Sequence, residues 1–324
     1  MATILNEFNI SLPLAILLAY DDYDYDPRPN YISATGLLKT TKQIVLNKRM
    51  QQDDYKIDIT SFTKARLGQA IHALSETAWR SEQAVRKGLE LCGYQPDMFY
   101  KVIINPPEGI VLEKDDIPVY IEQRAERKLG DWIIGGKFDL VIDGQLSDIK
   151  STGTYTYVKD NNRDKYCKQG SIYKWLNPTK ITNPILNIEF VFTDWMQGKV
   201  YENGYPEIPT KTISIPLMEE PETERFMKDK LKEVVRYMDS PQNDIPNCTD
   251  EELWMDKSQW QYFSKAENSR ATKNFDTQGE AITFMESKGV GIIKEKKAMA
   301  KHCHYCNVRP ICKQAEQLEF DKLL

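Results

Sequence analysis

Hydrophobic and polar positions along this chain fall into two periods. Residues 33–50, SATGLLKTTKQIVLNKRM, repeat their apolar positions at helical spacing, with Leu37, Leu38, Ile44 and Val45 facing inward and Lys42, Lys48 and Arg49 outward. A second helix is predicted over 62–90, with Leu67, Ile71, Leu74 and Ala78 as its apolar stripe. Strands follow at 100–106, at 118–129 and, as a hairpin, over 132–150, where Asp143-Gly144 is a preferred two-residue turn. A helix is predicted over 164–176, a buried strand over 184–195, and an amphipathic helix over 222–238 with acids in its first turn, where the helix dipole favours them. DDYDYDPRPN (21–30) reads as a loop and DSPQNDIPNC (239–248) as a linker. This order, without internal repeats, predicts an α/β (α+β) fold with a core over 1–240 and a C-terminal lobe over 241–324.

Composition narrows the picture. The 324 residues are 41% hydrophobic and 28% charged, an ordinary globular balance. A net charge of −5 removes any whole-molecule basic field, so contact with nucleic acid would rest on a local patch. The apolar LPLAILLAY (12–20) is far short of the roughly 20 residues a spanning helix needs, and it lacks the basic leader of a signal peptide. The expected location is intracellular, in the cytoplasm, or in the host cytoplasm if the protein is viral. There the six cysteines point to metal ligation or burial rather than disulfides.

Charge inside the hairpin pattern is the first chemical signal. Pairing back from Asp143-Gly144 sets Val141 against Leu146, Leu140 against Ser147 and Asp139 against Asp148. Opposed residues have Cβ atoms about 4.5–5.5 Å apart, so two carboxylates there repel unless a divalent cation sits between them. Lys150 is two residues past Asp148 and projects from the same face. A solvated polar face with an Asp–Lys pair is the alternative.

Four separated pieces then occur in order: Gly68-x-x-x-His72 on the second helix, Asp139 in GGKFD, Asp148-x-Lys150 in SDIKS, and Gln169-x-x-x-Tyr173 on one helix face. Together they resemble the PD-(D/E)XK nuclease superfamily, in its RecB/AddB/Cas4-like branch, over roughly 33–195. The resemblance implies a restriction-endonuclease-like core, a central mixed sheet flanked by helices. It implies that His72, Asp139 and Asp148 ligate Mg²⁺ or Mn²⁺ with help from the Ile149 carbonyl. Lys150 would position or activate the attacking water, and Gln169 and Tyr173 would steady Lys150 and the DNA strand. Glu122 and Arg124 on the preceding strand would line the cleft, and Lys168 and Lys174 could touch phosphates.

The tail adds Cys303-x2-Cys306-x5-Cys312. This run resembles the C-terminal part of the iron–sulfur signature of the same branch, whose fourth cysteine precedes the Gly-x-x-x-His helix. Here that region holds threonines, and Cys248 is the best substitute. The expected group is a [4Fe–4S] cluster, with structural Zn²⁺, completed by Cys248, His302 or His304, as the alternative. Cys92 and Cys167 read as small buried hydrophobes. From Lys257 to Lys313 eleven Lys or Arg stand against five Asp or Glu, which would let the tail border DNA. Trp254, Trp260, Tyr262 and Phe263 offer stacking faces, or core.

The expected function is a metal-dependent DNA nuclease, an exonuclease acting on DNA ends or single strands in phage DNA replication, recombination or processing. ISATGLL, SDIKST, SIYKWLNP and FTDW look like stand-alone nucleases of tailed bacteriophages. No nucleotide-binding Gly-x-x-x-x-Gly-Lys-Ser/Thr occurs, so unwinding would come from a separate helicase or recombination protein. The rivals are a non-catalytic DNA-end-binding or assembly subunit that keeps the fold, and a Cas4-like processing nuclease.

Overall fold

The computed structural model describes residues 3–21, 25–50 and 56–324. Its strands are β1 (Thr3–Leu5), β2 (Tyr31–Ser33), β3 (Lys56–Asp58), β4 (Val102–Ile104), β5 (Ile117–Leu129), β6 (Trp132–Ile142), β7 (Gln145–Thr152), β8 (Ile185–Phe192), β9 (Thr210–Pro216), β10 (Gln259–Phe263), β11 (Lys273–Phe275) and β12 (Ile292–Lys296). Its helices are α1 (Leu12–Ala19), α2 (Ala34–Leu37), α3 (Thr41–Arg49), α4 (Thr63–Arg80), α5 (Glu82–Leu91), α6 (Met98–Lys101), α7 (Thr154–Lys159), α8 (Arg163–Leu176), α9 (Glu220–Tyr237), α10 (Gln278–Lys288) and α11 (Lys313–Phe320). Part of the predicted 21–30 loop, residues 22–24, lies outside the described residues. Among the described residues no helix is long and apolar enough to cross a membrane.

Two compact units divide these elements. The larger joins Ile4–Lys39 to Ile57–Leu231; the smaller joins Thr40–Lys56 to Lys232–Leu324, with the first residues of the chain. The division expected at 240/241 therefore falls earlier, inside α9, and the smaller unit also recruits an N-terminal segment. Nor is 239–248 a free linker: Gln242 Nε2 donates to the Ile311 carbonyl at 2.8 Å, and the Cys248 N–H donates to Gln314 Oε1 at 2.8 Å.

The larger unit is α/β, a central mixed sheet flanked by helices. Strand order is β4-β5-β6-β7-β8-β9, with β2 added in parallel to β6. The β5–β6 and β6–β7 pairs are antiparallel hairpins, whereas β7 and β8 are parallel and need the crossover through α7 and α8. Alternation in β8 is clean: Leu186, Ile188, Phe190 and Phe192 are buried. Helix α8 reaches the sheet closely because of glycine. A Cβ on Gly136 would stand 2.9 Å from the Tyr173 ring and 3.0 Å from Leu176.

Several predicted elements are cut shorter by local capping. The 33–50 helix breaks because Thr40 and Gln43 form a reciprocal capping box that starts α3 afresh. Within α3, Lys42 is not outward: it is buried, with Nζ on Asn247 Oδ1 at 2.5 Å. The 62–90 helix breaks at Ser81, whose hydroxyl accepts the Ala84 N–H. The stripe predicted on it also faces the wrong way. Leu67 and Leu74 are exposed, and the sheet is met about 100° round the helix, where Gly68 approaches Ser151.

Gly136→Ala overpacks the α8 contact and is expected to destabilise the protein by about 1–3 kcal/mol. The measurement is the urea midpoint; an unchanged midpoint would contradict this packing.

Candidate active site and cysteine cluster

The hairpin forms as its sequence dictates, then opens. Asp143 (φ 47°) and Gly144 (φ 79°) make the turn, and Ile142, Val141 and Leu140 pair with Gln145, Leu146 and Ser147. The antiparallel ladder ends there, while on its other edge β7 stays paired in parallel with β8 from Leu146 to Thr152. The expected Asp139–Asp148 ladder pair is therefore absent. Instead, Asp139 Oδ2 accepts the Ile149 N–H at 2.9 Å, so a side chain carries the bond that bridges the opening strands.

A second irregularity lies across β5. Glu122 has φ 51°, a left-handed conformation in mid-strand that costs a non-glycine residue about 1–2 kcal/mol. Pairing skips the Glu122–Asp139 position but keeps its register on both sides, Ile121 to Leu140 and Gln123 to Phe138. The partner helix changes across this point. Ile121 and Leu140 pack in a cluster with Trp79 of α4, whereas Gly136 faces Tyr173 of α8 and the Arg127 guanidinium lies 4.3 Å over Trp175. At this skipped position both carboxylates meet His72 of α4. One ligand atom from each of His72, Glu122 and Asp139 lies within 4.8 Å of the others, the one such group among the described residues. His72 Nδ1 is 3.3 Å from Asp139 Oδ2. Glu122 also holds Lys137 Nζ at 2.6 Å.

The other half of the site faces α8. Asp148 is buried, with Oδ2 ion-paired to Lys150 Nζ and Oδ1 accepting from Gln169 Nε2 at 3.2 Å. Gln169 Nε2 also lies 3.0 Å from Tyr173 Oη. Gln169 thus orients Asp148 and is itself held by Tyr173. Of the other lysines considered, Lys168 is tied to Asp164, and Lys174 lies near the carbonyls of Thr182 and Asn183. Arg124 contacts the Tyr31 hydroxyl at 3.0 Å.

Electrostatics show negative charge in excess. Burial, with Asp148 adding to it, pushes the Asp139 carboxyl up to about 8. Burial alone would lower the Lys150 pKa, but Asp148 and Asp139 outweigh it and raise the value. Burial lowers His72, and the Lys150 charge adds to that, so the imidazole is kept neutral and able to ligate.

All six predicted site residues thus belong to the larger unit, but the close group is His72, Glu122 and Asp139, not His72, Asp139 and Asp148. Sequence reasoning placed Glu122 only at the cleft edge. Its one available signal was a carboxylate opposite Asp139 in the strand before the hairpin.

In the smaller unit Cys248, Cys303, Cys306 and Cys312 line one small cavity. Burial, then the three neighbouring thiols, pushes Cys303 up to about 11, a cost that a bound metal removes. Cys248 is joined to this group across the segment where the resemblance places the fourth cysteine: Thr40 Oγ1 is 3.5 Å from Cys248 Sγ, and Gln43 Nε2 donates to Cys306 Sγ at 3.3 Å. Among the described residues no three of these sulfurs lie within 4.8 Å of one another. A tetrahedral zinc, with Zn–S about 2.3 Å, needs thiolates about 3.8 Å apart. Contrary to the sequence reading, Cys92 is exposed; Cys167 is half-buried, with Sγ on the Pro216 carbonyl.

No protein-family model matches the chain, and no curated protein matches it. One solved structure, titled "Crystal structure of SSO0001", aligns with 72% of this chain and 90% of that one at 15% identity and a TM-score of 0.40, a likeness too loose to carry an argument.

Because the Asp139 pKa lies above its unfolded value, the native state holds a proton the unfolded chain has lost, and stability falls as pH rises from about 4 towards about 8. Asp139→Asn is expected to raise the melting temperature of the metal-free protein at pH 7 by at least about 2 °C, and to flatten its fall between pH 6 and 8. Thermal melts across pH check both.

Proposed function

We propose that the chain is a Mg²⁺- or Mn²⁺-dependent deoxyribonuclease of the PD-(D/E)XK kind that hydrolyses phosphodiester bonds at DNA ends or in single strands. The observation that carries the reading is the group of His72, Glu122 and Asp139, whose ligand atoms lie within 4.8 Å of one another. Glu122 and Asp148 have lysine partners in Lys137 and Lys150, which leaves Asp139 beside an imidazole, a place that a divalent cation would suit. The donor set fits, with carboxylate oxygens for a hard cation and one neutral imidazole.

His72, Glu122 and Asp139 would hold the ion. When bound, the ion supplies polarisation of the phosphoryl group and a hydroxide near neutral pH. The chain's own residues then have separate tasks. Lys150, kept charged by Asp148 and Asp139, offers N–H donors to the charge that develops on phosphoryl oxygen; its raised pKa suits electrostatic stabilisation rather than proton abstraction. Gln169 fixes the Asp148 carboxylate and is itself fixed by Tyr173, so both are positioning residues. Glu122, which pairs with Lys137 Nζ at 2.6 Å, would have to share its carboxylate with the ion.

The cysteines are read as ligands of a [4Fe–4S] cluster, which accepts a wider spread of thiolates than zinc. Its role would be structural, joining Cys248 to the Cys303–Cys312 segment.

Asp148→Asn and Lys150→Ala are each expected to cut Mn²⁺-dependent cleavage of end-labelled DNA by at least about 100-fold while thermal melts stay cooperative. Unchanged cleavage in both would overturn the assignment, and circular substrates tell end-dependent from internal cutting. Protein purified without oxygen is expected to be brown; a colourless preparation with one zinc per chain would reverse the cluster reading.

A further inference from the structure

We propose that Lys39 and Lys165 form a phosphate subsite beside Lys150, one that holds a second phosphoryl group of the strand being cut. Lys165 lies in the first turn of α8, one turn before Gln169 and two before Tyr173, so it continues the row of side chains that fixes Asp148. Its neighbour Tyr166 has the Lys150 ammonium 6.0 Å from its ring centroid. Lys39 follows α2, which packs on α8. Both lysines are exposed.

The pair carries no counter-charge. Among the described residues neither Lys39 nor Lys165 has a carboxylate partner. The acids nearest Lys165 in sequence are already paired, Asp160 with Arg163 at 3.4 Å and Asp164 with Lys168 at 2.6 Å. Residues 31–52, around Lys39, hold no Asp or Glu. The protein around the Lys165 ammonium, then the charges of Lys150 and Lys39, lower its pKa, and no carboxylate acts against them. Like charges gathered in this way disfavour their own charged forms and give the fold nothing. Phosphoryl oxygens resolve the repulsion and make charge-assisted hydrogen bonds with both ammoniums.

Lys150 connects the pair to the reaction. Its charge reaches both His72 and Lys165. A strand whose scissile phosphoryl group meets Lys150 would present the neighbouring one to Lys165 and Lys39. That neighbour is either the monoester at a phosphorylated end or the next diester along the strand, and both offer the same oxygens.

The inference rests on the nuclease reading, but its first readout needs no cleavage. Fluorescence anisotropy of the full chain in EDTA, over a range of salt, would follow single strands of oligo-dT and of mixed sequence, labelled at one end and with or without a phosphate at the other. Lys39→Ala and Lys165→Ala are each expected to lower the slope of log K against log salt by about 0.7, and the double variant by about 1.4. Lys39→Arg and Lys165→Arg should keep the original slope, and both sequences should respond alike, since phosphate contacts carry no base information. A shift confined to phosphorylated ends identifies the monoester; an equal shift on all strands identifies the diester. In Mn²⁺-dependent cleavage each alanine variant should raise KM and leave kcat, the split expected of a binding contact. An unchanged slope in the double variant, a shift that the arginine variants share, a fall in kcat with KM unchanged, or no binding by the unaltered chain would each overturn the subsite. Slopes that shift as stated in a chain that cleaves nothing would count against the metal site alone.

Discussion

Like charge gathered under partial burial is the constraint around which the larger unit is arranged. Glu122, Asp139 and Asp148 come from three adjacent strands, and water reaches none of them freely. Uncompensated carboxylates in such a place either take up protons or require cations. Both answers are visible: Asp139 drifts towards its neutral form, while Lys137 and Lys150 stand against Glu122 and Asp148. The scaffold supplies the energy that holds this arrangement. Buried Leu, Ile, Val and Phe side chains in β6 and β8 offset a left-handed glutamate and a hairpin that opens at its charged rung.

Where the sequence was legible, local chemistry decided the outcome. Asp143-Gly144 fixed the turn and the first three pairs, and strict alternation in β8 and the spacing of α8 left few alternatives. The motif order also predicts that His72, Asp139, Asp148, Lys150, Gln169 and Tyr173 come together, and contacts link His72 to Asp139, Lys150 and Gln169 to Asp148, and Tyr173 to Gln169. What sequence could not supply was how the groups divide. That depends on where β7 splits from β6 while it stays paired with β8 on its other edge, a long-range arrangement that no local pattern records. Glu122 was undervalued for the same reason, since its role comes from a backbone conformation its residue type does not favour.

The helix α4 shows how amphipathicity misleads near a site. Leu67, Ile71, Leu74 and Ala78 make the better hydrophobic stripe, yet the helix turns the face of Gly68 and His72 towards the sheet. Polar groups needed inside displaced apolar ones to the surface, leaving Leu67 and Leu74 open to solvent. In the smaller unit the reading erred towards solvent instead: Lys42, predicted outward, is inside because Asn247 receives its amine.

That last contact sets an order on the birth of the protein. Thr40–Lys56 shares a unit with Lys232–Leu324, so early residues must wait for late ones. At about 5–20 residues per second, the ribosome separates their emergence by roughly 10–50 s. Throughout that interval Ile44, Val45 and Leu46, all destined for burial, have no native partner from residues 232–324. The capping box of Thr40 and Gln43, closed within a single turn, is a native feature of that segment able to form on its own as the rest is made.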